Sequence, residues 1–148
     1  MKMKKYISIA AFVLAPLLLL AQTDTDEQLA AQYFKNGEYE KAEVYYKKLY
    51  KRSNDEFFFR YYVDCLLKLE DFNGAEKTVE KRIRKEADPV LYVHLGYIHK
   101  AAGNPKASEQ AYGKAIQELP PFQRKIDALA NAFADKGELD YVVRTYEK

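Results

Sequence analysis

Four stretches of the chain place the same kinds of residue at the same offsets, and successive copies are 33 or 34 residues apart. The turn positions are Gly37, Glu70, Gly103 and Gly137. Seven residues earlier stand Ala30, Val63, Gly96 and Ala130, and five residues later stand Ala42, Ala75, Ser108 and Val142. Two past the turn come Tyr39, Phe72, Pro105 and Leu139; nine past it come Tyr46, Val79, Tyr112 and Tyr146. A unit this short cannot bury its apolar face alone, so a repeated one must stack on its neighbours. That restricts the fold to an array of small supersecondary units.

The unit is clearest between Pro89 and Pro120. Tyr92, Leu95, Gly96 and His99 have the spacing of one helix face. Asp88 is expected to cap this helix, with Pro89 at its first position, where the missing N–H costs nothing. Gly103 and Asn104 suit a left-handed C-terminus, and Pro105 can open a second helix whose stripe is Ser108, Tyr112 and Ala115. Pro120 and Pro121 end it. Gly96 and Ser108 are expected to let the two helices approach closely, with Tyr92, Leu95 and Tyr112 filling the space around them.

A helical hairpin recurring near 34 residues resembles the tetratricopeptide repeat (TPR). The third copy carries the family pattern through Tyr92, Leu95, Gly96, Gly103, Tyr112, Ala115 and Pro120. The first carries it through Leu29, Ala30, Tyr33, Gly37, Tyr39, Ala42 and Tyr46, and the fourth through Leu129, Ala130, Phe133, Gly137 and Tyr146. The second is degenerate, with Glu70 for the turn glycine and Arg82 where the family prefers Ala. The resemblance implies an all-α fold, an α-solenoid of stacked antiparallel helix pairs with about three and a half to four repeats. They fall at about 23–55, 56–88, 89–121 and 122–148, in one repeat domain over 22–148.

In the family, first helices line a concave groove that takes an extended peptide or a partner's helix. The resemblance places Glu27, Ala31, Phe34 and Lys35 there from the first repeat, and Arg60, Asp64, Leu67 and Lys68 from the second. From the third come Val93, Tyr97, Lys100 and Ala101, and from the fourth Asp127, Asn131 and Asp135. Phe34 and Tyr97 read equally well as core between repeats. Members that grip the C-terminal carboxylate of chaperones use Lys and Asn at first-repeat groove positions. Glu27 and Ala31 stand there, so that clamp is not expected.

Residues 1–21 differ in kind. Lys2, Lys4 and Lys5 precede an almost wholly apolar run from Ile7 to Leu20, the order of a secretory signal peptide with cleavage expected after Ala21. The rival reading is an uncleaved anchor, for which the run is short and Pro16 unsuitable. Export makes the expected location periplasmic or extracellular. Loss of those three lysines turns 24 basic residues into 21, against 22 acidic, so the formal charge goes from +2 to −1. A near-neutral chain offers no electrostatic case for nucleic acid, and no stable membrane span is expected in the mature chain.

The single cysteine, Cys65, lies in an apolar stretch and reads as a core residue. The Lys81–Lys85 run is flanked by acids and reads as a solvated helix face on a helix expected over Ala75–Lys85, joined to its predecessor by Phe72-Asn73-Gly74. No His-Glu-x-x-His, paired-Cys, calcium-loop or phosphate-loop pattern occurs. The expectation is a non-catalytic protein–protein scaffold of the cell envelope, without cofactor or metal, taking a protein or peptide partner. The alternative is a structural arm of a larger exported enzyme or sensor. The last helix is expected to end uncapped, with Val142, Val143 and Tyr146 uncovered and open to self-association.

Overall fold

The computed structural model describes residues 25–148. The expected signal peptide, and the caps expected from Thr23 and Asp24, lie outside the described residues; Thr25 is itself helical. The chain forms two compact units, one ending at Cys65 and the other running from Leu66 to Lys148.

In the first unit, α1 covers residues 25–35, α2 is Tyr39–Ser53, and α3, Glu56–Lys68, contributes as far as Cys65. Gly37 turns α1 into α2 at φ +76°, a conformation open to glycine for want of a Cβ. Asn54 (φ 55°) ends α2, and Asp55 accepts from the Phe57 N–H at 2.8 Å to open α3. Ala30, Ala42, Tyr46, Leu49, Phe59 and Val63 are buried, which selects Tyr46 over Tyr45 as the inward ring of α2. Phe34 meets Tyr46 and Tyr61 edge-on, with centroids at 6.1 and 5.0 Å, and Tyr46 stacks on Tyr61 at 4.9 Å. Burial pushes the Tyr46 phenol up to about 12 and the Cys65 thiol up to about 12, so Cys65 is an inert core residue near neutral pH.

Asp26 belongs to this core although no pattern in the sequence marks it. It is 5% exposed and accepts from Lys48 at 2.9 Å and Arg52 at 3.1 Å. Two cations from the end of α2 thus hold one buried carboxylate on α1.

The second unit holds α4 (Phe72–Ile83), α5 (Val90–Ala101), α6 (Pro105–Gln117), α7 (Gln123–Asp135) and α8 (Leu139–Tyr146). Helix α4 starts three residues before the expected Ala75, because the Asp71 carboxylate accepts from Gly74 N–H at 2.9 Å and caps it. Pro89 is the N-cap of α5 and not its first helical residue; Asp88 accepts from Val90 N–H at 3.2 Å. Asn104 caps α6 and Pro105 opens it, as the sequence indicates. Arg82 is not on a solvated face: it is 7% exposed, and its Nε donates to Glu86 at 3.1 Å. An arginine fits where the repeat prefers alanine because its stem packs and its charge is matched.

The core of this unit gathers Val93, Tyr112, Ala115, Leu119, Leu129 and Phe133. Gly96 is needed because a Cβ there would run into the Tyr112 ring and sit 3.1 Å from the Ser108 carbonyl oxygen. Tyr92 is half-buried and packs against that core, and with Leu95 it also lines a cleft beside Ile83, Arg84 and Lys114. Val142 is covered, packing with Tyr141 against the core, whereas Val143 and Tyr146 are exposed as expected. Lys148 is not idle: its ammonium donates to the carbonyls of Gln117 (2.7 Å) and Leu119 (3.2 Å), where a cation meets the negative end of α6.

Candidate functional site

Three of the residues assigned to the groove converge in the first unit. Phe34 from α1 and Arg60 and Asp64 from α3 line a cleft of about 330 Å³ with Phe57 and Tyr61. The positions on α3 are spaced three, one and three residues, so they share one helix face. Asp55 begins the helix just before Phe57, which puts all four in the first two and a half turns.

The floor is aromatic. Tyr61 packs against Phe34 and Phe57, with ring centroids 5.0 and 4.8 Å away. Phe57 is 55% exposed, so its ring forms a lip and not a plug. Arg60 is exposed and Asp64 half-buried, which gives the cleft one charge of each sign, one helical turn apart. Such a site suits recognition: an apolar side chain can lie on the rings while flanking polar groups meet the guanidinium and the carboxylate. Phe34 therefore serves both as inter-repeat core and as cleft floor. Phe57 is absent from the groove set read from the sequence, although its place one turn before Arg60 and Tyr61 was the available signal.

The remaining candidates separate. Glu27 and Lys35 are exposed on α1, and Ala31 with them. Leu67 is half-buried and Lys68 exposed at the end of α3. Val93 is a correction: it is 0% exposed and belongs to the core with Tyr112 and Phe133, so it faces helices and not a ligand. Tyr97 is half-buried under the Lys136 ammonium, 4.7 Å from its ring centre. Lys100 is engaged with Glu138 at 2.6 Å, and that contact holds its pKa above the usual lysine value. Glu138 also accepts from the Tyr112 hydroxyl at 3.1 Å. Asp127 accepts from Gln123 at 2.9 Å and from the Tyr146 hydroxyl at 3.2 Å, tying α7 to α8. Asn131, Ala101 and Asp135 are exposed.

Among the described residues no helix is long and apolar enough to cross a membrane. No curated protein matches the sequence. Among solved structures the chain is similar to PcrH from Pseudomonas aeruginosa, with TM-score 0.58 and 20% identity, over 81% of this chain and 92% of that one. It is also similar to MamA, with TM-score 0.51 and 20% identity, over 84% of this chain and 74% of that one. These likenesses concern the fold, all-α and built of helix pairs. The tetratricopeptide repeat itself is matched twice, at residues 28–56 and 90–118, the first and third of the four copies that the sequence shows.

Proposed function

We propose that the protein is an exported, non-catalytic scaffold that holds a peptide or partner segment in the Phe34–Phe57–Arg60–Tyr61–Asp64 cleft. The observation that carries this reading is the convergence of exposed aromatic surface with both signs of charge in one concave site. A TPR fold is consistent with protein–protein interaction. The ligand that fits is a short segment with one large apolar side chain, flanked by an acidic group toward Arg60 and a basic or amide group toward Asp64. Export rests on the composition of residues 1–21, and mass spectrometry of the secreted or periplasmic chain is expected to find Gln22 at its N-terminus.

The test is crosslinking and affinity capture from envelope fractions, repeated with the isolated partner. Phe57→Ala and Arg60→Glu are each expected to weaken binding about tenfold, roughly the value of one anchoring contact. Lys68→Glu, outside the cleft, is expected to change it little. Both cleft residues are exposed, so helical circular dichroism should be retained. Equal loss with Lys68→Glu, or none with the two cleft variants, would move the interface elsewhere.

A further inference from the structure

We propose that the second unit carries a binding site of its own, between α4, α5 and α6, for an acidic segment of a partner protein: an aliphatic side chain with a carboxylate beside it. The site has a volume of about 370 Å³ and shares no residue with the Phe57 cleft. It also differs from the groove that the repeat family lines with first helices, because two of its three helices, α4 and α6, are the second helices of their repeats.

Its apolar surface comes from Ile83, Tyr92, Leu95 and Ala107, all half-buried, and from the buried Ala111. A volume near the lower end of ligand sites holds one aliphatic side chain and the backbone beside it. The rim residues Arg84, Gln110 and Lys114 are exposed. A small molecule needs closer enclosure than such a trough gives, so the fitting ligand is part of a longer chain that continues past it.

The charges say what flanks the aliphatic side chain. Arg84 and Lys114 line the site against one acid, Glu80. Arg84 lies 3.6 Å from Glu80 and Lys114 lies 3.7 Å from Glu118, and these four side chains are 44% to 67% exposed. Both contacts are longer than a charge-assisted hydrogen bond, and exposed pairs of this kind hold little, so an incoming carboxylate can take their place.

The first repeat shows what the fold does with this lysine. Lys48 and Lys114 stand at the same offset after the turn residues Gly37 and Gly103, and Asp26 and Tyr92 at the same offset before them. In the first repeat the lysine holds a carboxylate, Lys48 reaching Asp26 at 2.9 Å. In the third, Tyr92 replaces the acid, and Lys114 lies over its ring, 4.7 Å from the centre. The tyrosine hydroxyl holds Lys114 above the usual lysine pKa, so the cation keeps its charge. The lysine is retained and its internal carboxylate is gone. A segment whose aliphatic side chain lies on the Tyr92 ring can supply the missing carboxylate.

NMR titration of the isotope-labelled chain with three capped peptides tests this. The probe is Gly-Glu-Leu-Asp-Gly. The controls are the neutral Gly-Gln-Leu-Asn-Gly and Gly-Glu-Gly-Asp-Gly, which lacks the aliphatic side chain. His99 lines the site and is one of two histidines in the chain, so its imidazole resonance reports occupancy. The probe is expected to shift His99 and the amides of α4 to α6, and each control to bind about tenfold more weakly. Lys114→Glu and Arg84→Glu should each weaken the probe about tenfold, and Phe57→Ala should leave it unchanged. No shift at His99 with the probe into the tens of millimolar would overturn the proposal, as would equal binding of the neutral peptide or shifts confined to other helices. Binding that survives both charge reversals would overturn the roles of Arg84 and Lys114. Should either variant lose helical circular dichroism, the three-peptide comparison on the wild-type chain decides alone. None of these outcomes depends on Phe57 or Arg60, so this site and the proposed cleft fail separately.

Discussion

Gly96 and Gly113 lie on the two helices of one repeat and respond to alanine in opposite directions. At Gly96 the new methyl would meet the Tyr112 ring. That ring cannot swing aside freely. It packs against Phe133 and Tyr141 with centroids at 5.4 and 4.8 Å, and its hydroxyl is bonded to Glu138 at 3.1 Å. Overpacking of this kind costs about 1–3 kcal/mol. At Gly113 an added Cβ has nothing within 4 Å, and the residue is in the interior of α6. Alanine there should stabilise by about 0.5–1 kcal/mol, because it removes freedom from the unfolded chain at no steric cost. Urea unfolding of the two variants checks both signs. A Gly96→Ala midpoint at or above wild type would mean that Tyr112 is less confined than its contacts imply.

At the scale of elements, the four turns are one structure made by unlike residues. Gly37, Gly103 and Gly137 have φ of 76°, 75° and 74°, and Glu70 joins them at 57°. In each, the next N–H returns to the carbonyl five residues back: Glu38 to Tyr33 (2.9 Å), Asp71 to Leu66 (2.8 Å), Asn104 to His99 (2.8 Å) and Glu138 to Phe133 (3.0 Å). Glu70 therefore bears the left-handed strain of an L residue, about 1–2 kcal/mol. Glu70→Gly should recover roughly 1 kcal/mol after its own entropic cost, read as a higher melting temperature; no gain would mean that the Glu70 side chain stabilises the turn. These turns were legible because spacing alone fixes where a helix must reverse. Helix faces were less so. Periodicity put Tyr92, Leu95, Gly96 and His99 on one stripe, of which Gly96 is buried and the others are half-buried, while Leu91, Val93 and Ile98 are buried beside it. Helix α5 is crowded on more than one side, and a single stripe does not tell which neighbours cover it. Val93 was lost from the groove for that reason. Asp26 escaped notice because its partners, Lys48 and Arg52, lie more than twenty residues away. The cleft was half legible: the resemblance supplied Phe34, Arg60 and Asp64, while the exposed Phe57 belongs to no family position.

At the scale of the whole molecule, what matters is how short the range of packing is. In the second unit the helix contacts run between α4 and α5, α5 and α6, α7 and α8, α5 and α7, and α6 and α8, each helix meeting those one or two away in sequence. Stability in such an array is close to a sum of local terms, so damage should stay local. Phe133 provides the test. It is 0% exposed and joins the Val93, Tyr112 and Leu129 cluster, so Phe133→Ala should cost about 3–5 kcal/mol there. Native-state hydrogen exchange is the measurement. Amides of α5 to α8 are expected to lose protection steeply, while those of α1 and α2, whose core is Ala30, Ala42, Tyr46 and Leu49, keep theirs. Asp26→Asn gives the reverse experiment, removing the carboxylate that Lys48 and Arg52 share and loosening α1 and α2 first. If either variant lowers protection equally across all these helices, the chain unfolds as one cooperative body, and a partner held at Phe57 would stabilise α8 as much as it stabilises α1. If the losses stay separate, a partner held in the cleft stabilises α1 and α2 and leaves the opening of α5 to α8 unchanged.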